Sequence, residues 1–145
     1  MESIKILWID DDINRQVLKP YIDEFEENGF AIIGVANPDE IENKLNLMQN
    51  LKCIILDISM PYGTKIDPVE AKQGIKTGLI VLQQLVNNLS LKNIKKVVFT
   101  ITDNDEVRDY CDKNVIDYLE KKSFMAGTFV DRIKKIISDS DRIVY

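Results

Sequence analysis

The sequence predicts an α/β fold, a doubly wound parallel sheet of five strands alternating with five helices. Three observations carry that expectation. Short apolar, β-branched runs such as residues 4–9 and 53–56 have the continuous hydrophobicity of strands covered on both faces. Between these runs lie segments whose apolar residues recur at helical spacing, so strand and helix alternate along the chain. Parallel strands joined through helices make right-handed crossovers, which distributes the helices over both faces of the sheet.

The first strand spans residues 4–9, and a helix follows from Ile13 to Asn28 with Val17, Leu18, Tyr21, Ile22 and Phe25 on its apolar face. Pro20 is expected to kink or locally open that helix, because it has no N–H to donate to the Gln16 carbonyl. Asn28-Gly29 supplies the stop. Phe30 to Val35 reads as the second strand. Asn37 then caps a second helix, with Pro38 at its first position and Ile41, Leu45 and Met48 facing inward. Leu51 to Leu56 forms the third strand. A polar stretch at about 59–77 separates it from a third helix, opened by Gly78-Leu79 and carrying Leu79, Leu82, Leu85, Val86 and Leu89. Residues 96–99 make the fourth strand, Asp103 to Lys113 the fourth helix, and Val115 to Leu119 the fifth strand. A last helix, Met125 to Ser138, presents Phe129, Val130, Ile133, Ile136 and Ile137 to the core. Residues 1–138 therefore read as one domain with an extended loop at 59–77, and 139–145 as a polar tail whose Ile143-Val144-Tyr145 tip is apolar enough to dock back.

Composition narrows the function classes. At 145 residues, with 45% hydrophobic and 30% charged, the chain is long enough to bury a core of its own. A net charge of −5 argues against a nucleic-acid surface, which needs a clustered basic face. No signal peptide and no membrane-length apolar run is present. Cys53 and Cys111 lack metal-ligand spacing and read as reduced core residues, which points to the cytoplasm. The chain contains no histidine, which removes His-based acid–base catalysis, His metal ligation and any internal phosphohistidine.

The chemistry gathers at strand ends. The first strand runs into Asp10-Asp11-Asp12 and the third into Asp57, while Thr100 closes the fourth strand and Lys121 follows the fifth. In a parallel sheet these ends share one rim, where ligands bind. Carboxylates crowded there either share protons or await a cation. A hard Mg²⁺ ion needs only two or three of them and keeps several waters. Asp57 then reads as a nucleophile beside a metal, with a hydroxyl (Thr100) and an ammonium (Lys121) to bind phosphoryl oxygens. Asp12 is assigned instead to helix capping before Ile13.

Taken in order, the Asp10-Asp11 pair, Ile-Leu-Asp-Ile-Ser-Met-Pro around Asp57, Thr100, and Tyr-Leu-Glu-Lys ending at Lys121 resemble the receiver domain of two-component response regulators. The resemblance covers essentially the whole chain and implies a flavodoxin-like sheet in the order 2-1-3-4-5. It implies that Asp57 is the phospho-acceptor. Asp10, Asp11, Asp57 and the backbone carbonyl of Ser59 would hold Mg²⁺ or Mn²⁺. Thr100 would move toward the phosphoryl group, Lys121 would pair with it, and Tyr118 would change rotamer with Thr100. The implied partners are a histidine kinase or phosphotransfer protein and a downstream protein effector, with no nucleic acid and no membrane, in a monomer or a phosphorylation-dependent dimer. The chain would be no enzyme beyond its own phosphorylation and dephosphorylation. The start at Met1 and the continuation past the fifth helix lead to the expectation of a stand-alone protein.

Three departures from the family pattern stand out. Ile101 replaces the small residue that usually follows the strand-four threonine, and Lys122 replaces a proline after Lys121. A cis bond before a non-proline residue costs about 3 kcal/mol, so a trans bond is expected there. The loop at 59–77 is longer than the family's, and long loops in compact domains are often functional. Two other readings compete. In a haloacid-dehalogenase-like phosphatase, Asp10 would be the nucleophile, Asp12 the general acid, Thr100 the phosphate binder and Lys121 its charge partner, leaving Asp57 without a role. In a degenerate receiver-like module, no phosphate would be taken and only protein contact would remain.

Overall fold

The computed structural model describes residues 3–59 and 77–139. The expected loop between Ser59 and Thr77, and the tail beyond Asp139, lie outside them. Five strands, β1 (Ile4–Ile9), β2 (Phe30–Val35), β3 (Leu51–Leu56), β4 (Lys95–Thr100) and β5 (Asp117–Glu120), form one parallel sheet in the order β2-β1-β3-β4-β5. Helices α1 (Lys19–Glu27), α2 (Ile41–Asn46), α3 (Thr77–Asn87), α4 (Asp105–Asn114) and α5 (Ala126–Ser138) complete the alternation. The architecture is the flavodoxin-like α/β fold expected from the sequence. Among the described residues no helix is long and apolar enough to cross a membrane.

Alternation of side chains across the sheet divides the core in two. Leu7, Ile9, Ile54, Leu56 and Val98 point to one face and pack with Leu79, Leu82, Val107 and Cys111. Ile6, Trp8, Cys53, Ile55, Val97 and Phe99 point to the other and pack with Phe25, Phe129 and Ile133. Both cysteines are free and buried, and burial pushes each thiol up to about 12, as suits inert core residues.

Several local expectations are corrected. Pro20 does not kink a long helix: residues 16–18 form a short 3-10 turn, and Pro20 sits in the first turn of α1, where its missing N–H has no acceptor to disappoint. Val17 is consequently 64% exposed rather than on the buried stripe. Asp12 caps no helix; its carboxylate pairs with Arg15 at 3.1 Å. Asn37 does cap, accepting from the Asp39 N–H at 2.9 Å, but for a 3-10 turn ahead of α2. Leu89 lies past the end of α3 and is 85% exposed. Val115 does not start β5 but ends α4 in the left-handed region at φ 57°, a conformation that β-branched residues rarely adopt.

One glycine positions the site directly. A Cβ on Gly78 would lie 2.2 Å from the Ile58 Cα and 2.3 Å from its carbonyl oxygen. Only glycine lets the first turn of α3 press against the backbone that follows Asp57.

Candidate functional site

Asp10, Asp57, Thr100 and Lys121 meet at the carboxyl end of the central strands, as their places in the sequence foretold. β1 and β3 are hydrogen-bonded neighbours, so the residues that end them emerge side by side. Asp10 and Thr100 are fully buried and Asp57 is 3% exposed. Charge at such depth demands partners, and each is supplied. The Lys121 ammonium donates to Asp10 Oδ2 at 2.7 Å and to Asp57 Oδ2 at 3.1 Å. The Thr100 hydroxyl donates to Asp57 Oδ1 at 2.7 Å, and the Ser59 N–H donates to the same oxygen at 3.1 Å. Asp10 Oδ1 accepts from the Asp12 N–H at 2.8 Å.

The electrostatics of the Asp10–Lys121 pair are lopsided. Burial, reinforced by the nearby Asp57 charge, pushes Asp10 up to about 6 despite the hydrogen bond and attraction of Lys121. Burial alone would lower Lys121, but its bond to Asp10 and the pull of both carboxylates outweigh that and hold it above its ordinary value. Asp11 is raised chiefly by burial, then by the charges of Asp12 and Asp57. Among the described residues, Asp10 and Asp57 thus share the one ammonium of Lys121, so the site carries surplus negative charge.

That surplus suits a hard divalent cation. One carboxylate oxygen from each of Asp10, Asp11 and Asp12 can be chosen so that all lie within 4.8 Å of one another, and oxygen-only sets of this kind match Mg²⁺ chemistry. Asp12, assigned to capping by sequence, therefore stands with the acidic pair. Asp57 is outside that close group and joins it through the shared Lys121 ammonium.

Tyr118 is half-buried and points to the β4–α4 connection rather than to Asp57. Its hydroxyl donates to the Thr102 carbonyl at 2.5 Å and accepts from the Asn104 N–H at 3.3 Å. The Thr102 N–H in turn donates to the Thr100 hydroxyl at 3.1 Å. Ile101 is 76% exposed between them. Residues 121–123 form a 3-10 turn, and the described residues contain no cis peptide bond, in line with Lys122 in place of proline. Sequence reasoning missed Asn104, whose side chain caps α4 by accepting from the Val107 N–H at 3.1 Å. The signal was present: an asparagine followed by Asp105-Glu106 marks a helix start.

Comparison with solved structures finds the same arrangement of elements in many response-regulator receiver domains. The fold is that of a receiver domain. A receiver domain protein from Methanospirillum hungatei JF-1 is 17% identical with a TM-score of 0.71, over 96% of this chain and 97% of that one. The receiver domain of the Francisella response regulator 1452 is 24% identical with a TM-score of 0.63, over 93% and 97%. The BeF3-activated DrrB receiver domain is 18% identical with a TM-score of 0.63, over 94% and 98%. No family model matches the sequence, and no curated protein matches it.

Proposed function

We propose that the chain is a phosphorylation-operated signalling switch whose acceptor is Asp57. The observation that carries this reading is the set of contacts on that one carboxylate: a buried hydroxyl on Oδ1 and an ammonium, shared with Asp10, on Oδ2. The phosphoryl group would come from a phosphohistidine of a histidine kinase or phosphotransfer protein, outside these 145 residues, which contain no histidine. The donor's N–P bond breaks as a bond forms between phosphorus and an Asp57 carboxylate oxygen, and the imidazole leaves. Lys121 offsets charge on the transferred oxygens, and Thr100 turns its hydroxyl from the free carboxylate to a phosphoryl oxygen. Asp10 and Asp11, with Asp57 and the Ser59 carbonyl, would hold Mg²⁺ or Mn²⁺. When bound, the ion relieves the repulsion between the acidic cluster and the incoming phosphoryl group.

The output follows from connectivity. A movement of Thr100 would be passed through Thr102 to Tyr118 and to the Asn104 cap of α4, which favours the face built by α4, β5 and α5 as the one biased toward a downstream protein. The phosphatase reading is the weaker one, because Thr100 bonds Asp57 rather than Asp10 and leaves the would-be nucleophile without its phosphate binder. Intact-mass measurement after acetyl phosphate and Mg²⁺ treatment tests the choice. One phosphoryl adduct is expected on the wild type and none on Asp57→Asn. An adduct that survives Asp57→Asn but not Asp10→Asn would establish the phosphatase instead, and no adduct on any form would leave a degenerate interaction module.

A further inference from the structure

Arg108, on α4, ties together three separate pieces of the chain. One of its terminal nitrogens donates to Asp103 Oδ1 at 2.8 Å in the β4–α4 connection and to Glu120 Oε1 at 3.2 Å on β5. Its guanidinium carbon lies 4.3 Å from the centroid of the Tyr118 ring. Glu120 is further held by Lys122 at 3.5 Å. Two carboxylates thus fix where the planar cation lies, and an arginine so anchored stacks on an aromatic face with less motion than a free one. β5 is an edge strand and Tyr118 is only half-buried, so packing alone leaves that ring room to turn. The ring's far end carries the hydroxyl that bonds Thr102 and Asn104.

We propose that Arg108 is a positioning residue: clamped between Asp103 and Glu120 and laid on Tyr118, it holds the Tyr118 hydroxyl in its double hydrogen bond to the β4–α4 connection. Nothing about Arg108 touches the reacting groups. Its effect runs from ring to hydroxyl to the Thr102 backbone, whose carbonyl accepts from Tyr118 and whose N–H reaches the Thr100 hydroxyl bonded to Asp57. The clamp's meaning rests on the phosphoryl-switch reading, because it sets the resting position from which a signal at Asp57 must dislodge Tyr118. Its test does not, since it is read in the unmodified protein.

Amide hydrogen exchange at Asn104, which donates to Tyr118, is the readout. Arg108→Gln is expected to speed exchange at Asn104 by about three- to ten-fold, the range spanned by one cation–π contact with its anchoring ion pairs. Exchange at the core amides of β1 and β3 should stay unchanged, and Arg108→Lys should restore part of the protection. In a Tyr118→Phe background, Arg108→Gln should have no further effect on Asn104. Unchanged Asn104 exchange in Arg108→Gln would overturn the proposal, as would an equal acceleration with and without the Tyr118 hydroxyl. A protein that shows the clamp but takes no phosphoryl group on Asp57 would sink the switch reading and leave the clamp standing.

Discussion

The two faces of the sheet are built from different materials. On the α1/α5 face, Trp8, Tyr21, Phe25, Phe99, Phe124 and Phe129 interlock, mostly edge to face, with Phe99 and Phe129 stacked at 3.7 Å. On the α2–α4 face the buried residues are almost all aliphatic, and the aromatic rings there, Tyr110 and Tyr118, sit at its margin. Rings locked by several neighbours have few alternative rotamers, whereas an aliphatic face with a half-buried tyrosine at its edge can repack at less cost. The site lies across both. Lys121 stands 5.9 Å over the Phe99 ring on the aromatic side, and Thr100 leads through Thr102 to Tyr118 and α4 on the other. On the proposed switch reading, a change at Asp57 would travel away from the rigid aromatic block against α1 and into the α4 side.

Core truncation is the strongest way to break that contrast. Phe129→Ala removes a fully buried ring in contact with five other aromatics and is expected to cost about 3–5 kcal/mol. It should also shift the emission of Trp8, its neighbour at 5.8 Å. Leu82→Ala, buried equally on the aliphatic face, should cost about 2–4 kcal/mol and leave Trp8 emission where it is. Urea unfolding followed by fluorescence reads both quantities. A Trp8 shift in Leu82→Ala would mean that the two halves of the core are not separable.

A smaller effect, of opposite sign, is expected at the site between the faces. Asp10 has a folded-state value of about 6 against 3.8 for a free carboxyl. The folded protein therefore binds the proton more tightly than the unfolded chain, and stability falls as pH rises from about 4 through 6. Asp10→Asn removes that penalty. In the presence of a chelator it should stabilise the fold by about 1–3 kcal/mol at pH 7.5, with the gain gone near pH 3.5. Thermal melts across that range would expose the error if the gain were flat with pH or reversed in sign.

The strands and the acidic rim were readable from sequence because both signals are contiguous: an apolar run, then an aspartate, with the rim following from parallel topology. The four residues that converge there needed only the sheet order to be brought together. What escaped was local backbone choice and long-range charge pairing. Pro20 is ambiguous between a kink and a helix start until the preceding turn is seen. Val115 has the composition of a strand residue, yet the chain reverses there in a left-handed conformation that nothing in its side chain announces. Arg108 reaches Asp103 and Glu120 across a turn of helix and a strand, a pairing with no sequence period.

The most direct measurement is a map of backbone amide shifts on adding beryllofluoride with Mg²⁺, a mimic of the phosphorylated aspartate. The expected result is a set of shifts at Asp11, Ser59 and Thr102 that continues to Asn104, Val107 and Tyr118, while the amides of Ile22 and Phe25 on α1 stay still. Shifts that spread through α1 and spare α4, or that persist in Asp57→Asn, would contradict it.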